Sequence, residues 1–101
     1  MASSATHQIP DEYADDIRVA VHLLQRLGCT EVYLFGSVVE GNLHADSDID
    51  IAVRGCPSDR FFYAVGRLVM ELEHTVDLID LDRSTAFTDV LQASGNLFRV
   101  A

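Results

Sequence analysis

Carboxylates are concentrated in two short stretches of the chain: Asp46, Asp48 and Asp50 within five residues, and Asp77, Asp80 and Asp82 within six. In Asp48-Ile49-Asp50-Ile51-Ala52-Val53, two Asp alternate with aliphatic residues at the period of a strand, although Asp is among the poorest strand formers. Residues two apart on a strand project from one face, about 6.6–6.8 Å apart. Two acceptor-only groups placed there repel each other unless a cation sits between them. Hard divalent ions such as Mg²⁺ take such oxygen ligands, and catalytic two-metal sites hold their ions about 3.5–4 Å apart. A third carboxylate on a neighbouring strand would complete the clamp. Asp77 is the natural candidate, with Asp80 and Asp82 as competitors.

Other chemistries built on paired Asp fit less well. A calcium loop starting at Asp46 needs Gly at its sixth position and Glu at its twelfth, where this chain has Ile51 and Pro57. An aspartyl-phosphate phosphatase places its Asp pair just after a hydrophobic strand, whereas here Ala45-Asp46-Ser47 precedes it. A metal-dependent glycosyltransferase normally needs a much larger chain. None of these accounts for Gly36-Ser37, where the apolar run Glu31-Val32-Tyr33-Leu34-Phe35 stops. A strand running into Gly-Ser and a tight turn offers backbone N–H groups and a hydroxyl at one point, an arrangement suited to phosphate. Ten residues then separate Ser37 from Asp48.

The elements that must position these groups follow from periodicity. Residues 1–10 read as a loose tail ending in Pro10. Asp11 and Glu12 open a helix at its positive end, and Ile17, Ala20, Val21, Leu24 and Leu27 form its apolar face up to a left-handed cap at Gly28. Strands are expected at 31–35, 48–53 and 76–81, with a turn or one-turn helix at 38–47. The third strand sets Val76, Leu78 and Asp80 on one face against Asp77, Ile79 and Leu81 on the other. Ser58 reads as the N-cap of a helix over 59–73 with Phe62, Val65, Leu68, Val69 and Leu72 inward. That helix also carries Phe61, Tyr63 and Met70, so its apolar girth reads either as core or as an interface with a second copy or a partner. A helix near 84–94 ends at Gly95, and Leu97–Val100 close as a strand. The fold class is α+β: a single domain over 11–101 with a mixed sheet covered by helices.

The string Leu34-Phe35-Gly36-Ser37…Gly41…Asp46-Ser47-Asp48-Ile49-Asp50-Ile51 closely resembles the signature of the DNA polymerase beta-like nucleotidyltransferase superfamily. Within it, the chain looks like a minimal nucleotidyltransferase, the kind paired with a HEPN-domain toxin in toxin–antitoxin modules. The resemblance implies that Gly36 and Ser37 hold a nucleoside triphosphate together with Asp48 and Asp50. It also implies that Asp48, Asp50 and Asp77 are catalytic and hold two Mg²⁺. The implied reaction moves AMP from ATP to a hydroxyl, a tyrosine of the HEPN partner, with release of pyrophosphate. Family members often carry Arg or Lys after the Gly-Ser, where this chain has Val38, Val39 and Glu40. Arg54 is one possible replacement cation. A catalytically weakened module that neutralises its partner by contact is the alternative, and a catalytic fragment acting on some other acceptor is a third reading.

Composition agrees with a nucleotide site more than a polymer site. The formal charge is −9, from 16 acids against 7 basic residues, all Arg, which argues against binding a nucleic-acid polymer or anionic lipid. Six of the acids lie in the two clusters, so much of the excess is local. The absence of Lys removes Schiff-base chemistry and any Lys-based phosphate loop. Cys29 and Cys56 fit no metal spacing and read as small, partly buried thiols. There is no signal-peptide pattern and no apolar run of about 20 residues, so a cytoplasmic protein without a membrane segment is expected.

Overall fold

The computed structural model describes residues 11–36 and 48–101, with Glu12 described by its backbone alone. The expected tail at 1–10, Ser37, and the turn at 38–47 with Asp46 lie outside the described residues. The described chain runs α1 (Asp11–Arg26), β1 (Glu31–Phe35), β2 (Ile49–Arg54), α2 (Ser58–Glu71), β3 (Val76–Asp80), α3 (Ala86–Ser94) and β4 (Phe98–Arg99). Four strands form one sheet in the order β3-β2-β1-β4. β1 is antiparallel to β2 and β4, and β2 is parallel to β3. This is the mixed sheet covered by helices that alternating αβ patterning predicts.

α1 stops where the sequence says it should. The Cys29 N–H donates to Leu24 O at 3.1 Å and the Gly28 N–H to Gln25 O at 3.1 Å, the paired bonds of a Schellman cap. The cap needs a left-handed residue, and Gly28 has φ +105. The chain is thereby turned directly into β1.

Strand alternation splits the core into two layers. Val32, Leu34, Ile49, Ile51 and Val53 meet Tyr13, Ile17, Ala20 and Leu24 of α1 and Ala64 and Leu68 of α2 on one face. On the other, Phe35, Ala52, Leu81 and Leu91 pack together with Tyr33, Ile79 and Leu97. β3 obeys the alternation read from sequence, with Val76 and Leu78 in the first layer and Ile79 and Leu81 in the second. α3 begins at a Thr85 N-cap whose side chain accepts from the Thr88 N–H at 3.1 Å, with Thr88 reciprocating at 2.9 Å. It ends at Gly95, as expected.

α2 departs from expectation in three ways. Pro57, not Ser58, occupies the N-cap, and no side chain caps the helix. The helix stops at Glu71, because Leu72 is extended and the Glu73 and His74 N–H groups donate to the Asp16 carboxylate at 3.0 and 2.8 Å. The buried face is also rotated: Ala64 and Leu68 are buried and Phe61 packs beside them, while Phe62 and Val69 are 78% and 65% exposed. Two apolar stripes overlap on this helix, and the sheet takes the one centred on Ala64, whose small side chain lets the helix approach closely.

Cys29 and Cys56 are both free thiols, as expected, and are more fully buried than the sequence suggests. Burial pushes the Cys29 thiol far up from its ordinary 9.0, reinforced by a hydrogen bond with Cys56, by the Cys56 charge and by Asp80. A raised thiol pKa leaves the folded state fully stable below the unfolded value. Stability then falls as pH climbs above 9.0, where the unfolded thiol ionises and the folded one does not. Native protein titrated with a thiol-specific disulfide reagent at mildly alkaline pH should therefore leave Cys29 unmodified until it is unfolded.

Candidate active site

Asp50 is the second residue of β2, half-buried, on a strand bonded along both sides. Antiparallel pairing sets it opposite Phe35, and parallel pairing sets it opposite Asp77. Registered neighbours share a face, and adjacent strands lie about 4.8 Å apart. The sheet therefore brings the Asp50 and Asp77 side chains together where β1 ends and β2 and β3 begin. Asp77 is exposed, and Asp48 is exposed just ahead of β2. Among the described residues, no three His, Cys, Asp or Glu side chains gather closely enough to hold a metal ion. The donor set of Asp48, Asp50 and Asp77 is nonetheless all carboxylate oxygen, which suits a hard divalent cation.

Gly36 closes this corner. It follows β1 with φ +73, and a Cβ built on it would lie 2.1 Å from Asp50 Oδ2 and 3.0 Å from its Cγ. Only a residue without a side chain leaves the Asp50 carboxylate in place beside the backbone. The sequence marked Gly36 as a point of close approach to phosphate; the structure shows close approach to the carboxylate. Ser37 lies outside the described residues.

The competitors of Asp77 are engaged elsewhere. Asp80 belongs to the opposite face of β3 by alternation, acts electrostatically on Cys29, and accepts from the Asp82 N–H at 3.0 Å. Asp82 accepts from the Gly55 N–H at 2.7 Å and lies 3.7 Å from Arg54. Arg54 is not available as a replacement cation. It is four residues along β2 from Asp50, about 13 Å at strand rise, and it is held by Glu31 at 3.5 Å, Asp82, and Gln92 at 2.5 Å.

Sequence reasoning missed one buried polar cluster at this end of the molecule. Asp16 of α1 is 7% exposed. It accepts from the Glu73 and His74 N–H groups and lies 2.7 Å from His74 Nδ1, whose ring stacks on Tyr13 at 3.9 Å. The signal was present: Asp16 stands three residues after Tyr13 and four before Ala20, on the face that α1 buries. The cluster fixes the turn that leads into β3, three residues before Asp77.

Comparison with known proteins agrees with this fold. The family model described as polymerase beta, nucleotidyltransferase, matches residues 21–99. No curated protein sequence matches the chain. A crystal structure of a toxin–antitoxin with AMP-PNP is 28% identical, with a TM-score of 0.66 over 83% of this chain and 70% of that one. An MntA-HpeT toxin–antitoxin mutant, with two aspartates two positions apart each changed to glutamate, is 26% identical. Its TM-score is 0.64 over 83% of this chain and 70% of that one. A second MntA-HpeT mutant, with a tyrosine changed to alanine, is 28% identical at a TM-score of 0.65, over 84% and 71%.

Proposed function

Because the chain belongs to the polymerase beta nucleotidyltransferase family, we propose that it is the antitoxin of a toxin–antitoxin pair and transfers AMP from ATP to a tyrosine hydroxyl of a HEPN-domain toxin. The observation that carries this reading is the corner formed by Gly36, Asp50 and Asp77: two carboxylates in register on neighbouring strands, with a side-chain-free backbone pressed against one of them. Support also comes from the structural neighbours. One holds AMP-PNP, and another was altered at two aspartates with the spacing of Asp48 and Asp50.

Asp48, Asp50 and Asp77 are the residues that would hold Mg²⁺, which when bound neutralises the triphosphate and eases loss of the acceptor proton. Gly36 and Ser37 would bind the phosphates. The acceptor oxygen forms a bond to the α-phosphorus in line with the bond that breaks to the β-phosphate bridge, so pyrophosphate leaves and the hydroxyl proton passes to solvent. Asp50 is the best placed of the three to keep its geometry, since its strand is bonded on both sides.

One observation favours the contact-only alternative. Arg54 is held at the far end of β2, so it does not stand in for the cations that other family members carry after Gly36-Ser37. Incubating the protein with labelled ATP, Mg²⁺ and its partner toxin separates the readings. Label on the toxin is expected, and Asp50→Asn should reduce it by about a hundredfold or more. Protection from the toxin without label would leave only the contact-only alternative.

A further inference from the structure

Asp50 and Asp77 share their face of the sheet with apolar neighbours. Phe35 is the partner of Asp50 across β1 and β2, so Phe35, Asp50 and Asp77 form one row on that face. The next row on the same face is Tyr33, Ala52 and Ile79, about 6.6 Å along the strands. Phe87 of α3 meets both rows. Its ring centroid is 6.2 Å from that of Phe35, with the planes tilted by 58°, and with Ile79 it lines a cleft of about 560 Å³. The helix that carries it is fixed: the Thr85–Thr88 capping box locks the first turn, and Leu91, one turn on from Phe87, is buried with Phe35 and Ala52. Phe35 is 7% exposed, whereas Phe87 is 53% exposed. The inner ring of the pair is packed, and the outer ring is left open beside the carboxylates.

We propose that Phe87 is the base-stacking residue of the nucleotide site: the base of a nucleoside triphosphate, held through its phosphates at the Asp50–Asp77 corner, lies face to face with the Phe87 ring. This rests on the nucleotidyltransferase reading above and assigns a further part of that site. A ribose separates a base from its α-phosphate by only a few covalent bonds, so the base must land within a side chain or two of the carboxylates. Among the described residues, the exposed aromatic ring packed against their row is Phe87. Tyr33, on the next row, is half-buried and gives its hydroxyl to Glu31. Packing does not account for the exposure of Phe87, because Leu81 and Leu91 already seal this layer and Phe87 is not among its buried members. An aromatic ring adds affinity for any base through its π-face, without hydrogen-bond readout. The cleft beside it has the volume of a small-ligand site, and its apolar walls keep water from the stacked faces.

The chain has no tryptophan, so Phe87→Trp installs a single indole reporter at the proposed contact. Its fluorescence should be quenched by Mg²⁺ with a non-hydrolysable ATP analogue. Mg²⁺ with tripolyphosphate, which carries the charge without the base, should leave it unchanged. In calorimetric titrations, Phe87→Leu should bind the analogue about tenfold to a hundredfold more weakly than wild type, the effect of losing one stacked ring. Phe87→Tyr, which keeps the ring, should bind as wild type does, and tripolyphosphate should bind all of them alike. Circular dichroism confirms that each variant is folded. An indole that ignores an analogue wild type binds, an indole quenched equally by tripolyphosphate, or wild-type affinity in Phe87→Leu would overturn the stacking role and leave the nucleotidyltransferase reading standing. Wild type that binds neither the analogue nor tripolyphosphate would overturn that reading, and the stacking role with it.

Discussion

Gly36→Ala is expected to cost this protein its transferase activity while leaving it folded. The effect has two sources. An L side chain at φ +73 is strained by itself, and its Cβ would stand 2.1 Å from Asp50 Oδ2, far inside contact distance. Strain at such a position is about 1–3 kcal/mol, offset by some tenths through the stiffer unfolded chain. A net loss of about 1–2 kcal/mol lowers the Tm by about 10 °C in a chain of this length. The larger consequence is positional: the carboxylate must swing away or the β1 terminus must shift. A displacement of about 1 Å at a reacting centre costs about a hundredfold in rate. AMP labelling of the partner should therefore fall about a hundredfold, with a thermal melt showing the protein still folded at assay temperature. Wild-type labelling by Gly36→Ala would mean that the Gly36–Asp50 corner has no part in the chemistry.

Removing the Asp16 carboxylate should have the largest effect on stability. Its oxygens accept from two backbone N–H groups and meet His74 Nδ1 in a site that is nearly sealed. Hydrogen bonds to a charged group contribute about 1.5–3 kcal/mol each, and donors left buried without a partner add their own cost. Asp16→Ala should lose about 3–5 kcal/mol, while Asp16→Asn, which keeps one oxygen for the N–H groups, should lose about half of that. Urea titrations should show both losses as a lower midpoint at unchanged slope. If Asp16→Ala unfolds at the wild-type midpoint, the turn before β3 is held by something other than this carboxylate.

Much of the frame was legible because it rests on short periods. Asp48-Ile49-Asp50-Ile51 declares a strand with two unlike faces, and the face assignment of Val76 to Leu81 follows from the same alternation. The Gly28 cap could be read from a glycine at the end of a helical stripe. Where two patterns overlapped, the sequence could not arbitrate. α2 offers one stripe through Phe62 and Val69 and another through Phe61, Ala64 and Leu68, and only the neighbouring sheet chooses between them. The choice among Asp77, Asp80 and Asp82 was similarly open, because it depends on parallel register with β2. Asp16 could be marked by its place on the buried face of α1, but its partner could not: His74 lies 58 residues away, and no local spacing joins them.

The antiparallel register of β1 with β2 bears on how this chain could change over generations. Five residue pairs, from Glu31↔Arg54 to Phe35↔Asp50, fix the two strands without reference to the segment that joins them. Closing a connection grows costlier only with the logarithm of its length, about 0.6 kcal/mol for each doubling. A longer or shorter connection between β1 and β2 would therefore add little to the cost of closing them. A lineage could change the length of that connection while the sheet kept its shape.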